Sequence, residues 1–113
     1  MVVVVYFTAS SLEEAKKISR ALLEKRLVAC ANSFKGNSLY NWSGELVDED
    51  EFIVLCKTTE ERAGEAEKLI LSMHSYDLPS VIRFPVKANK AYSEWVERET
   101  RPFKHGPATK QKP

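Results

Sequence analysis

Leu27-Val28-Ala29-Cys30-Ala31-Asn32-Ser33-Phe34, then Lys35-Gly36-Asn37-Ser38, then Leu39-Tyr40-Asn41-Trp42-Ser43-Gly44-Glu45-Leu46-Val47: this stretch decides the fold. Its first eight residues have strand character, the polar quartet interrupts it, and Leu39 to Trp42 resumes it. The pattern predicts one long strand carrying a bulge or kink. Ser43-Gly44 is a tight-turn signal, and Glu45-Leu46-Val47 starts the return. The acids Asp48-Glu49-Asp50-Glu51 lead into the apolar run Phe52-Ile53-Val54-Leu55-Cys56. Together these make a long hairpin whose tip projects beyond a single compact sheet.

On the N-terminal side, Val2 to Phe7 is a continuous β-branched and aromatic run that suits a strand covered on both faces. Ser10 and Ser11 precede Glu13 and Glu14 at capping-box spacing. Behind them Leu12, Ala15, Ile18, Leu22 and Leu23 recur at helical period, which predicts a helix over 11–25. On the C-terminal side, Thr58 with Glu61 forms a second capping-box pattern, and Ala63, Ala66, Ile70 and Met73 form an apolar helical stripe. Leu78-Pro79 opens a fourth strand through Val86, and Pro85 inside it marks a sheet edge. Asn89 can cap a short last helix carrying Tyr92, Trp95 and Val96.

The order is β-α-β-β-α-β plus a short C-terminal helix, a ferredoxin-like α+β arrangement on an antiparallel sheet. Both helices of that arrangement lie on one face. An apolar second face needs a cover, and no remaining segment looks long enough to supply it. Partner subunits are the economical answer, with the hairpin as the reaching arm.

The 113 residues make one domain over 1–100 and a flexible, locally basic tail over 101–113 that includes His105. Seventeen basic residues against sixteen acidic ones leave no field to steer nucleic acid or an anionic membrane. The first residues lack the charged start of a signal peptide. No apolar stretch approaches the roughly 20 residues of a membrane span. A cytoplasmic protein without nucleic-acid or membrane partners is the expectation.

Chemistry-bearing residues are sparse. The four glycines are too far apart for a phosphate loop or a dinucleotide fingerprint. The turn Thr8-Ala9-Ser10-Ser11 has neither the Gly nor the Arg that an acylphosphatase on this fold would need. Asp48 to Glu51 suit either a cation or a solvated arm. Cys30, Cys56 and His74 could be soft ligands for copper or zinc, or buried thiols and a helix-end histidine. No Cys-x-x-Cys spacing fixes two ligands locally. Trp42 at the hairpin turn and Trp95 on the last helix fit an interface or pocket better than the core of a lone chain.

Several of these segments, taken in order, resemble the CutA divalent-cation-tolerance family: Leu22 to Asn32, Tyr40-Asn41-Trp42-Ser43-Gly44-Glu45, Lys57-Thr58-Thr59, His74 to Pro79, and Tyr92-x-x-Trp95. The resemblance covers residues 1 to about 98. It implies a ferredoxin-like subunit in a homotrimer akin to PII signalling proteins, non-enzymatic, with pockets between subunits. It also implies copper(II) or another divalent cation as cofactor and no organic one. Carried over by position, Cys30 and His74 would serve the metal, while Tyr40, Trp42, Lys57, Tyr76 and Trp95 would line the ligand cleft. That cleft admits a second function, small-molecule sensing or assembly. The sequence departs from the family at Ser75, where a proline is usual, and at Ser80, where a glutamate is usual. Cys56 also stands where the family has an aliphatic residue.

Overall fold

The computed structural model describes residues 1–102. The elements run β1 (Val2–Ala9), α1 (Leu12–Glu24), β2 (Cys30–Trp42), β3 (Glu45–Thr59), α2 (Glu60–Met73), β4 (Val81–Val86) and α3 (Lys90–Glu99). The sheet order is β2-β3-β1-β4 with every neighbouring pair antiparallel, which is the expected ferredoxin-like α+β topology. β4 is an edge strand, so Pro85 costs no interior ladder bond. Residues 103–113, most of the expected basic tail and His105 with it, lie outside the described residues.

Three local expectations need correction. β2 has no bulge: its register with β3 is unbroken from Cys30↔Lys57 to Trp42↔Glu45. Gly36 marks a close approach instead, because a Cβ there would stand 2.6 Å from Cδ1 of Ile53. Asp48 to Glu51 are part of β3 rather than a lead-in to it. The second capping box does not form either. Thr58 belongs to β3, is fully buried, and its hydroxyl donates to the Leu27 carbonyl at 2.6 Å, so Thr59 caps α2 without a side-chain bond.

The first cap does form. Ser11 Oγ accepts from the Glu14 N–H at 3.0 Å, while the Glu14 carboxylate reaches back to the Ser10 N–H at 2.9 Å. α1 ends in a Schellman turn closed by Arg26 at φ 56, with Leu27 N–H to Leu22 O at 2.9 Å.

The core lies between the sheet's inner face (Val3, Val5, Phe7, Val54, Cys56) and Ile18 and Leu22 of α1 with Ala66 and Ile70 of α2. Strand alternation puts Val2, Val4 and Tyr6 on the opposite face. One end of that face is covered by α3, whose Val96, Tyr92 and Trp95 pack on Val2, Ala29 and Val86. The expectation that no segment of the chain could reach the second face is therefore corrected at this end. Elsewhere it stays open: Phe34 is 48% exposed, Trp42 47% and Ile82 51%. The hairpin stretches the molecule to 52 × 25 × 23 Å. Among the described residues no helix is long and apolar enough to cross a membrane.

Candidate functional site

A cleft of about 620 Å³ opens where the hairpin arm, the end of β1 and the loop after α2 meet. Its arm side comes from β2 and β3. Ser43 and Gly44 both take positive φ (51° and 80°), the type I′ geometry that matches strand twist and keeps the two strands in register to their tips. Alternation then puts Tyr40 and Trp42 of β2 on one face with Glu49 and Glu51 of β3. Asp48 and Asp50 point the other way, towards Asn37 and Lys35.

The other wall is residues 75–80, held to the fold by two anchors. The His74 imidazole is completely enclosed. Its Nδ1 accepts from the Tyr76 N–H at 3.1 Å, which leaves Nε2–H to donate to the Thr8 carbonyl at 2.6 Å. Glu14 supplies the second anchor: one carboxylate oxygen binds Ser10, the other accepts from the Ser75 N–H at 2.9 Å. Burial alone would raise the Glu14 pKa, but the bonds from Ser10 and Ser75 outweigh it and bring the carboxyl to about 2.

So held, Tyr76 packs on His74 at 4.6 Å between ring centroids and donates its hydroxyl to Glu51 at 2.7 Å. Glu51 is only 6% exposed and also accepts from Ser38 at 2.6 Å. Burial works against its charge, yet hydrogen bonds from Ser38, Tyr76 and Thr8 prevail and lower its pKa, so Glu51 is an anion at neutral pH. Tyr40 donates to Glu49 at 2.6 Å; that bond, with burial and the Glu49 charge, pushes the phenol up to about 12. Glu49, Glu51 and Asp77 line the cleft, and no described residue lining it is basic.

The candidate residues divide between the two ends of the sheet. Tyr40, Trp42 and Tyr76 line the cleft, and His74 lies behind it as the support of its loop. Cys30, Lys57 and Trp95 sit at the α3 end, roughly 13 Å away along the strands, since Lys57 pairs with Val4 four residues before Thr8. There Cys30 Sγ lies 3.1 Å from the Tyr92 hydroxyl, whose pKa burial and that thiol push up to about 12. Lys57 donates to the Asn32 side chain at that end of the sheet, so its charge lies away from the cleft of its own chain. Cys56 faces the core, where burial raises its thiol to about 12.

Cys30 and His74 therefore do not fit a shared metal ion within one chain. The imidazole has both nitrogens engaged, and the thiol is at the far end of the sheet. Among the described residues no group of three or more His, Cys, Asp or Glu side chains could hold a metal. From the sequence alone the run 48–51 stays open between a cation and a solvated arm, Glu49 and Glu51 are not separated from their neighbours, and Asp77 is not singled out. Strand period carried through that run would have found the two glutamates, placing 49 and 51 beside Tyr40.

The sequence matches the family model described as CutA1 divalent ion tolerance protein over residues 3–99. The chain belongs to the CutA family. It is 37% identical to the divalent-cation tolerance protein CutA of Archaeoglobus fulgidus over 94 residues, which is 82% of this chain and 92% of the relative. The solved structure of the periplasmic divalent cation tolerance protein CutA from that organism superposes with a TM-score of 0.87, covering 89% of this chain and all of the other. The PII-like protein CutA from Nostoc sp. PCC 7120, in apo form, superposes with a TM-score of 0.82 at 26% identity, covering 89% and 99%. Against the CutA pattern, Ser75 now has a physical reading. A proline there would have no N–H, whereas Ser75 uses its N–H to dock the loop on Glu14.

Proposed function

We propose that the protein is a non-enzymatic CutA protein that works as a homotrimer in tolerance to divalent cations, copper(II) among them, and that cations enter at the acidic cleft. One observation carries the reading. Glu51 is ionised, almost wholly buried and hydrogen-bonded only by neutral donors among the described residues, at a cleft lined by two further carboxylates. A buried anion of this kind is stabilised further by a cation brought alongside. The half-exposed Phe34, Trp42, Ile82 and Phe84 on the open sheet face support the trimer, since neighbouring copies would cover them and supply the ligands one chain lacks.

Two measurements test this together. Light scattering with and without divalent cation reads a mass of three chains in both conditions. Equilibrium dialysis against copper(II) loses bound metal in Glu51→Gln and keeps it in Cys30→Ala. Loss confined to the cysteine variant would return the metal site to Cys30 and sink the cleft. A monomer in both conditions would sink the assembly.

A second reading, a PII-like sensor of a small molecule, is favoured by the cleft's size, which lies in the range of small-ligand sites, and by its three aromatic side chains.

A further inference from the structure

The loop 75–80 hangs from two consecutive amides. The Ser75 N–H donates to Glu14 Oε2 at 2.9 Å, and the Tyr76 N–H donates to His74 Nδ1 at 3.1 Å. The two acceptors are themselves neighbours, 3.9 Å apart. They differ in one respect. The Glu14 carboxyl lies at about 2, so it accepts throughout the neutral range. An imidazole accepts only while Nδ1 keeps its lone pair, and histidine is the side chain whose charge ordinarily changes between about pH 5 and 8.

Each element packed against the ring presents a definite group to it. β1 supplies the Thr8 carbonyl, 2.6 Å from Nε2, and the Phe7 ring set edge-on. α1 supplies the Glu14 carboxylate, β3 the negative charge of Glu51, and the loop the ring and N–H of Tyr76. A proton added at Nδ1 turns an acceptor into a donor aimed at the Tyr76 N–H, so that bond is lost. The Thr8 bond survives, because Nε2 carries hydrogen in both forms. The new N–H lies beside Glu14, and the charges of Glu14 and Glu51 offset the cost of a positive ring in an enclosed place. A carboxylate oxygen has room for two donors, so Glu14 can take the imidazolium and keep Ser75.

We propose that His74 is a proton-operated latch for the loop 75–80: Nδ1 takes a proton from solvent, releases the Tyr76 N–H and turns to the Glu14 carboxylate. Ser75 stays docked, so release begins at Tyr76 and passes to its phenol, which donates to Glu51. Acidification thus loosens one wall of the cleft and withdraws a neutral donor from Glu51. Every group in the latch belongs to one chain, and that chain alone encloses the imidazole completely. The latch therefore works in the same way inside an assembly whose neighbours cover the cleft, whatever the cleft holds.

The chain has two histidines, so His105→Gln leaves His74 as the one imidazole to follow. In that variant, in its native assembly, ring-nitrogen NMR between about pH 8 and 5 reads the ring and amide hydrogen exchange reads the loop. At the upper end the ring should carry hydrogen on Nε2 alone, and at the lower end on both nitrogens. Protection of the Tyr76 N–H, corrected for the intrinsic pH dependence of exchange, should fall about tenfold or more with the same midpoint, as expected for a buried donor that loses its acceptor. Glu14→Gln removes the counter-charge of the imidazolium and should move both changes together to lower pH.

Unchanged Tyr76 protection while the ring gains its second hydrogen would overturn the inference. So would a loss of protection whose midpoint stands apart from that of the ring. A ring that keeps the Nε2–H form until the fold itself is lost would overturn it too, and would make His74 a fixed anchor.

Discussion

The two ends of one sheet face have solved the same problem differently. Both present apolar side chains on the side away from α1 and α2. At the β1 N-terminal end the chain covers its own surface: α3 lays Val96, Tyr92 and Trp95 over Val2, Ala29 and Val86. At the hairpin end nothing in the described chain does so, and Phe34, Tyr40 and Trp42 stay about half exposed around a charged cleft. Arg26 helps hold the cover in place. Its guanidinium donates to the carbonyls of Arg98 at 2.8 Å and Arg101 at 2.5 Å, capping the α3 C-terminus from the turn that ends α1. Function follows the difference. The closed end contributes stability to the subunit, whereas the open end leaves apolar surface and charge uncovered by the described chain.

The largest effect should come from breaking the closed end. Val96→Ala removes two methyl groups from a fully buried position and should cost about 2–3 kcal/mol of folding stability. Phe34→Ala at the open end removes more surface but should cost the isolated subunit under about 1 kcal/mol, because half of that ring is already in water. Denaturant unfolding at several protein concentrations separates them. The Val96 penalty should not depend on concentration, while that of Phe34 should grow wherever association contributes. Equal penalties at every concentration would mean that the open end is as self-contained as the closed one.

A smaller effect concerns the loop that shapes the cleft. Glu14 has its carboxyl lowered from 4.5 to about 2 in the fold, so the proton binds more tightly to the unfolded chain. Its contribution is therefore complete above about pH 4.5 and is lost as pH falls through about 2. With discount for solvent at this partly exposed group, it is worth about 1–2 kcal/mol at neutral pH. Glu51, also lowered, acts in the same direction. Glu14→Gln should flatten the acid limb of the stability profile and increase hydrogen exchange at Ser75 and Tyr76. An acid limb identical to that of the parent would show that the loop is anchored by His74 alone.

Single elements were largely legible in the sequence, whereas the α3 cover at one end of the sheet and the assembled cleft at the other were not. Helical stripes, the edge proline and the Ser11 cap are local signals, and each lies within one element. The cleft depends on side chains far apart in the chain: Ser38, Glu51 and Tyr76 meet through the β2–β3 register and the loop after α2. The bulge expected at Lys35 to Ser38 failed for a related reason. Composition announces a break, but only the opposite strand shows that Gly36 makes room for Ile53. The loop wall was hidden differently. Ser75 looks like a lost proline until its N–H is seen to meet Glu14, sixty-one positions earlier.

Gly36 offers the smallest and most diagnostic change, because it stands where the covered sheet passes into the arm. An alanine Cβ would meet Cδ1 of Ile53 at 2.6 Å, too close to keep, but that methyl is the free end of a rotatable side chain. Turning Ile53 off its rotamer costs about 0.5–1.5 kcal/mol. Replacing glycine within a strand returns about 0.5–1 kcal/mol by restricting the unfolded chain. The two nearly cancel, so Gly36→Ala should change stability by less than about 0.5 kcal/mol. If Ile53 yields, Glu51 two residues before it keeps its bonds to Ser38 and Tyr76, and the cleft is undisturbed. A loss above about 1.5 kcal/mol, the upper bound for the rotamer alone, would mean that Ile53 is locked and the strain passes into the backbone. Arm and body would then be one rigid unit, and the contrast between the two ends would lie in what covers them rather than in how firmly each is built.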